Sequence, residues 1–208
     1  MDLSKNEMEK IWLSSWCELG LNAPESSVFE DVLARYSETH RYYHTLQHLS
    51  ECFSHRAWIQ ASAAYPAEVY MAIWFHDLIY DVRAKDNETR SAQFAADLLS
   101  ANGASHSQIS RISQHIIATS THQMSLAEDS QFLLDVDLAI LGASPARFSQ
   151  YQEQIRSEYA YVPSVIYRFK RKEVLASFLA RESIYLTPHF QYEYEETARE
   201  NLRNALAS

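Results

Sequence analysis

The sequence predicts an all-α protein, and three observations carry that expectation. Glycine is scarce, at three residues in 208, and sheet proteins need many glycine-dependent tight turns. The five prolines each stand just before an apolar periodic segment, at first-turn positions where a missing N–H costs nothing. Strand-like alternation is absent over any useful length.

Taken in order, the first helix runs near 4–19, with Trp12 and Trp16 in the core, and closes at Gly20, where a left-handed residue commonly ends a helix. Pro24 opens a second near 24–37. A third near 45–63 packs through Leu46 and Leu49, and Pro66 opens a fourth near 66–80. Within it, VYMAIWFHDLIY is apolar on nearly every face, so that helix should be central. Helices near 87–101 and 106–118 flank Gly103, and another near 129–141 ends at Gly142. Ser144-Pro145 and Thr187-Pro188 are N-cap plus N1 pairs, opening helices near 145–160 and 188–206, while Pro163 opens one near 163–181. We expect one domain over 1–208.

Composition removes several function classes. Hydrophobic residues make up 47% and charged residues 22%, a globular balance. The formal net charge of −9 argues against binding a nucleic-acid polymer, although a local basic pocket for one phosphate remains compatible with it. Cys17 and Cys52 give no disulfide framework and no CxxC pair. The start lacks the apolar core of a signal peptide, and no apolar run approaches the ~18 residues of a membrane span. The expectation is a cytoplasmic protein without a membrane partner.

Chemistry enters through polar residues in apolar helices. His76 and Asp77 sit side by side in the central helix, and Asp135 and Asp137 lie in the equally apolar QFLLDVDLAIL. A buried, unpaired carboxylate costs several kcal/mol, and a dication shared between helices would supply the partner. His44 and His48, four apart, are expected on one helical face about 40° from each other. Taken singly, each feature has another reading: a polar helix edge for the histidines, a cap or an Arg partner for an Asp.

The ordered set His48, His76-Asp77 and Asp137 resembles the HD superfamily of metal-dependent phosphohydrolases, in which three core helices bring these ligands to one divalent metal. Tyr43-His44-x-x-x-His48 is similar to the YHxxxH signature of its cyclic-nucleotide phosphodiesterase branch. Over roughly residues 8–205 the chain resembles a bacterial family of predicted HD phosphohydrolases, through RYYHTLQHL, FHDLIYD, DNETRSA, LLDVDLAILG, IRSEYAYVP and RESIYLT. The resemblance implies a helical bundle of the HD or phosphodiesterase type. It also implies a metal held by His48, His76, Asp77 and Asp137, with His44 donating a proton to the leaving group. Residues 135 and 137 lie about 200° apart round a helix, so only one can face the metal. Asp137 has the more apolar helical neighbours and matches the family's ligand position; Asp135 is left beside the site or at the surface.

Mixed imidazole and carboxylate ligands suit Mn, Co, Ni, Zn, Fe or Mg without choosing among them. The expected activity is hydrolysis of a phosphate ester or nucleotide by metal-bound water. Glu88 either orients the attacking water or a ligand His, or serves as a first-turn acid favoured by the helix dipole. Arg41 either contacts phosphate or is a solvated helix-start Arg. In Tyr167-Arg168-Phe169-Lys170-Arg171-Lys172, Arg168, Arg171 and Lys172 share a helical side. Arg168 and Arg171 are the substrate-binding candidates of that run, against the reading of a solvated face. His115 and His122 read either as ligands of a second metal or as a polar pair at a helix end. Two other functions share many of these features: a sensing domain that keeps the metal without turnover, and a scaffold in which the dyad is a hydrogen-bonded pair.

Overall fold

A computed structural model describes residues 3–120 and 128–207. Those residues form eleven α-helices and one 3₁₀ helix, with no strand among them. The fold is all-α. Internal contacts divide the chain into two compact units, Met1–Leu133 and Leu134–Ser208, and the division falls inside a single continuous helix.

The first unit contains α1 (Lys5–Glu18), α2 (Ser26–Arg35), α3 (Leu46–Phe53), α4 (Arg56–Ser62), α5 (Pro66–Phe75), α6 (Asn87–Ala101), α7 (His106–Ala118) and the start of α8 (Glu128–Asp137). Its core is α5, buried at every residue from Ala67 to Phe75. Trp74 sits among the aromatic rings of Trp12, Phe29 and Phe53. Glu68, the one acid inside this helix, receives Nε and Nη2 of Arg111 at 2.7 and 2.6 Å, a fork that ties α5 to α7. Serine capping boxes start α1 at Ser4 and α7 at Ser105.

Two expected helices are shorter than their apolar patterns. The segment near 45–63 is two helices, because Ser54 Oγ donates to Glu51 O at 2.6 Å and the chain turns through His55 before α4. The segment near 66–80 leaves the α-helix after Phe75, so His76 is its C-cap and Asp77 lies in the turn beyond. The carbonyls of Asp77 and Leu78, which a longer helix would use internally, accept instead from Arg41 at 2.6 and 2.9 Å.

The second unit runs from the end of α8 through the 3₁₀ helix Leu138–Gly142 to α9 (Pro145–Glu158), α10 (Ser164–Leu179) and α11 (Pro188–Ala207). Gly142 does not close a helix in the left-handed conformation, as Gly20 and Gly103 do at φ +82° and +86°. It lies against α11 so closely that a Cβ would stand 2.8 Å from Cβ and O of Tyr194. Asn201 of α11 donates to the carbonyls of Leu141 and Ala143 at 2.9 and 2.8 Å, fixing the same contact.

Candidate metal centre

His48 occupies the first turn of α3, three residues after the cap, where Thr45 Oγ1 accepts from Gln47 N. His76 ends α5 and Asp77 follows it. His48 and His76 are almost fully buried, and Asp77 is half-buried. The His48 and His76 Nε2 atoms face each other at 3.2 Å, and Asp77 Oδ2 lies 3.1 Å from His76 Nε2 and 3.6 Å from His48 Nε2.

This geometry fits a cation. His76 Nδ1 lies 2.9 Å from the Ile73 carbonyl, an acceptor only, so Nδ1 carries the proton and Nε2 presents a lone pair. That lone pair meets the Asp77 carboxylate at 3.1 Å, and two acceptors so close repel unless a positive charge stands between them. Donors about 2.1 Å from one ion stand roughly 3.0 Å apart at right angles and roughly 3.4 Å apart in a tetrahedron, close to the three observed separations.

Asp137 is the fourth member: one ligand atom from each of His48, His76, Asp77 and Asp137 lies within 4.8 Å of the others. At the start of α8, Asp129 accepts from the backbone N of Ala64 and Tyr65 at 2.9 and 2.6 Å, immediately before α5. Asp137 is the last residue of the same helix, two helical turns further on. Asp135, by contrast, is fully buried and turned to another task. Its carboxylate accepts from Leu186 N, Thr187 N and Thr187 Oγ1 at 2.7, 2.8 and 2.5 Å. Burial pushes that carboxyl up to about 6, against the pull of these hydrogen bonds. The Thr187 hydroxyl, expected to cap α11, donates to Asp135.

His44 precedes the Thr45 cap and is therefore not on α3, so the helical-face argument for it fails. Its ring nonetheless packs 6.0 Å from that of His48, centroid to centroid, between Tyr43 at 5.0 Å and Tyr80 at 4.3 Å. Arg41 is neither solvated nor open to a ligand along most of its fork. Its side chain is fully buried and donates to Glu38 Oε2 and to the carbonyls of His44, Asp77 and Leu78. Glu88 lies in the first turn of α6, half-buried, with no hydrogen bond or ion pair among the described residues. Arg168 and Arg171 lie on α10 in the second unit. His115 is buried on α7 with Nδ1 2.7 Å from Ser130 Oγ; His122 lies outside the described residues.

Sequence reasoning missed three neighbours of the cluster. Cys52 follows His48 by one helical turn and brings Sγ within 3.8 Å of its Nε2, a spacing visible in the sequence. Tyr80 covers His44. Ser91 bonds the backbone of Ile79 beyond the dyad, with Ile79 N donating to its Oγ at 3.0 Å. Neither carried a spacing signal.

Comparison of the chain with models of known families, with curated proteins and with solved structures gives no match. No helix among the described residues is long and apolar enough to cross a membrane.

Proposed function

We propose that this chain is a metal-dependent phosphohydrolase acting on a phosphate ester or nucleotide, with His48, His76, Asp77 and Asp137 as ligands of one divalent ion. The observation that carries the reading is the convergence of two imidazoles and two carboxylates with ligand atoms within 4.8 Å. The orientation of His76, lone pair inward, supports it. A divalent ion held there supplies Lewis acidity and neutralises charge on a phosphoryl group.

The chain's own residues supply position and a proton. Arg41 holds the dyad turn by its carbonyls, so the Asp77 carboxylate starts from a fixed backbone. His44, held between Tyr43 and Tyr80 beside the His48 ring, donates a proton to the leaving oxygen. The resemblance to the HD superfamily agrees with this division of roles.

Protein purified without chelator should carry one transition-metal ion per chain by elemental analysis, and His76→Ala and Asp77→Asn should each lose it. The loaded wild type should hydrolyse at least one member of a panel of phosphomonoesters, diesters and nucleotides, and Asp77→Asn should not. Stoichiometric metal surviving both substitutions would remove the site. A loaded wild type that turns over no ester would overturn the enzyme and leave a metal-containing sensing domain.

A further inference from the structure

A cavity of about 720 Å³ is lined entirely by residues of α9, α10 and α11, all in the second unit. Its volume lies within the range of small-molecule sites. Four lining residues are cations, Arg156, Arg168, Arg171 and Lys172, and none is an acid. In a chain with a net charge of −9, that is a local reversal of sign. Positions 168, 171, 172 and 175 fall on one stripe of α10, which brings three of the cations to the cavity beside Leu175. Lys170 is directed elsewhere and pairs with Glu173.

None of the four cations forms an ion pair among the described residues. Their hydrogen bonds go to neutral acceptors. Arg156 donates to the carbonyls of Tyr159 and Val162 and to Ser164 Oγ, with its guanidinium over the Tyr167 ring. Arg171 Nε donates to Gln152 Oε1 at 2.8 Å, and Lys172 Nζ donates to Leu206 O at 3.1 Å. These contacts fix the side chains without cancelling their charge. Arg171 Nη2 is buried with no hydrogen-bond partner among the described residues, in a guanidinium already positioned by Gln152 and the Tyr151 ring.

We propose that this cavity binds a small soluble molecule bearing two or more phosphate groups, with Arg171 and Arg168 as its principal anchors. Guanidinium forks suit phosphate oxygens bidentately, and no carboxylate lines the cavity. The site consists of second-unit residues alone and stands whether or not the metal reading does.

Calorimetric titration of chelator-treated full-length protein with inorganic pyrophosphate tests the proposal. Binding should be saturable and should persist in Asp77→Asn, which separates this site from the metal-ligand cluster. Arg168→Gln and Arg171→Gln should each weaken it about tenfold, in line with the loss of one charge-assisted contact. Arg35→Gln, a cation of α2, should leave it unchanged. Arg168 is exposed, so its substitution reads out binding even if Arg171→Gln perturbs folding. No saturable binding at millimolar pyrophosphate, or equal affinity in wild type and a folded Arg168→Gln variant, would overturn the proposal.

Discussion

His44 illustrates how a residue can lie beside a cluster for a reason other than the one its spacing suggests. Four-residue spacing to His48 suggested a shared helical face, yet Thr45 caps α3 and His44 lies before it. The ring reaches the cluster because Tyr43 and Tyr80 hold it there, and Tyr80 is remote in sequence, where no periodicity could announce it. A general acid matters in proportion to how badly the leaving group needs a proton. For an alkoxide leaving group, His44→Ala should keep its metal and lose roughly 10²–10⁴-fold in kcat. For a nitrophenyl ester, whose phenolate leaves unaided, the loss should be much smaller. Equal losses on the two substrates would show that His44 supports structure or metal and does not transfer the proton. Arg41 carries the complementary lesson. Its charge suggested either a phosphate contact or a solvated helix start, but three carbonyls and Glu38 claim it, a fate that only the fold at Asp77–Leu78 reveals.

At the scale of the element, α8 delivers two carboxylates in opposite directions. That much follows from a helix of 3.6 residues per turn. What each carboxylate meets does not follow, since the partners of Asp135 are the backbone of residues 186 and 187, half a hundred positions away. The two should therefore separate experimentally. Asp137→Asn should lose the metal with little change in the stability of the metal-free protein. Asp135→Asn should keep the metal but destabilise the protein by about 1–3 kcal/mol, because an amide cannot reproduce three accepted hydrogen bonds and leaves a buried donor unmet. Metal content and thermal melting of the chelated proteins read both outcomes. If Asp135→Asn empties the site and Asp137→Asn does not, the register of α8 toward the ligands is reversed. The early end of α5 belongs to the same scale. The apolar run through Tyr80 is continuous in sequence, yet α5 ends at Phe75 and Arg41 takes the carbonyls of Asp77 and Leu78.

Across the whole molecule, the helices were legible because prolines, glycines and apolar periodicity mark most ends directly; α6 and α7 fall where those signals put them. The pairing of helices was less legible, because buried polar contacts such as Glu68 with Arg111 join residues 43 apart without any local pattern. His115 belongs to this class, and its burial should contribute to the pH response of folding. Burial, with Arg111 of α7 adding to it and Asp129 of α8 opposing it, lowers its pKa from 6.5 to about 4. An unfolded chain therefore binds a proton that the folded chain refuses between those values. Stability should be complete above pH 6.5 and fall as pH drops toward 4, by roughly 3 kcal/mol in all from this residue. His115→Asn keeps a polar atom near Ser130 Oγ and removes the titrating ring. Denaturant melts of the chelated proteins at pH 7.5, 6, 5 and 4.5 should show a steep acid decline in the wild type and a flatter one in the variant. Parallel declines would mean that the His115 ring is protonated in the folded protein as readily as in the unfolded chain, and that carboxylates alone set the acid limit.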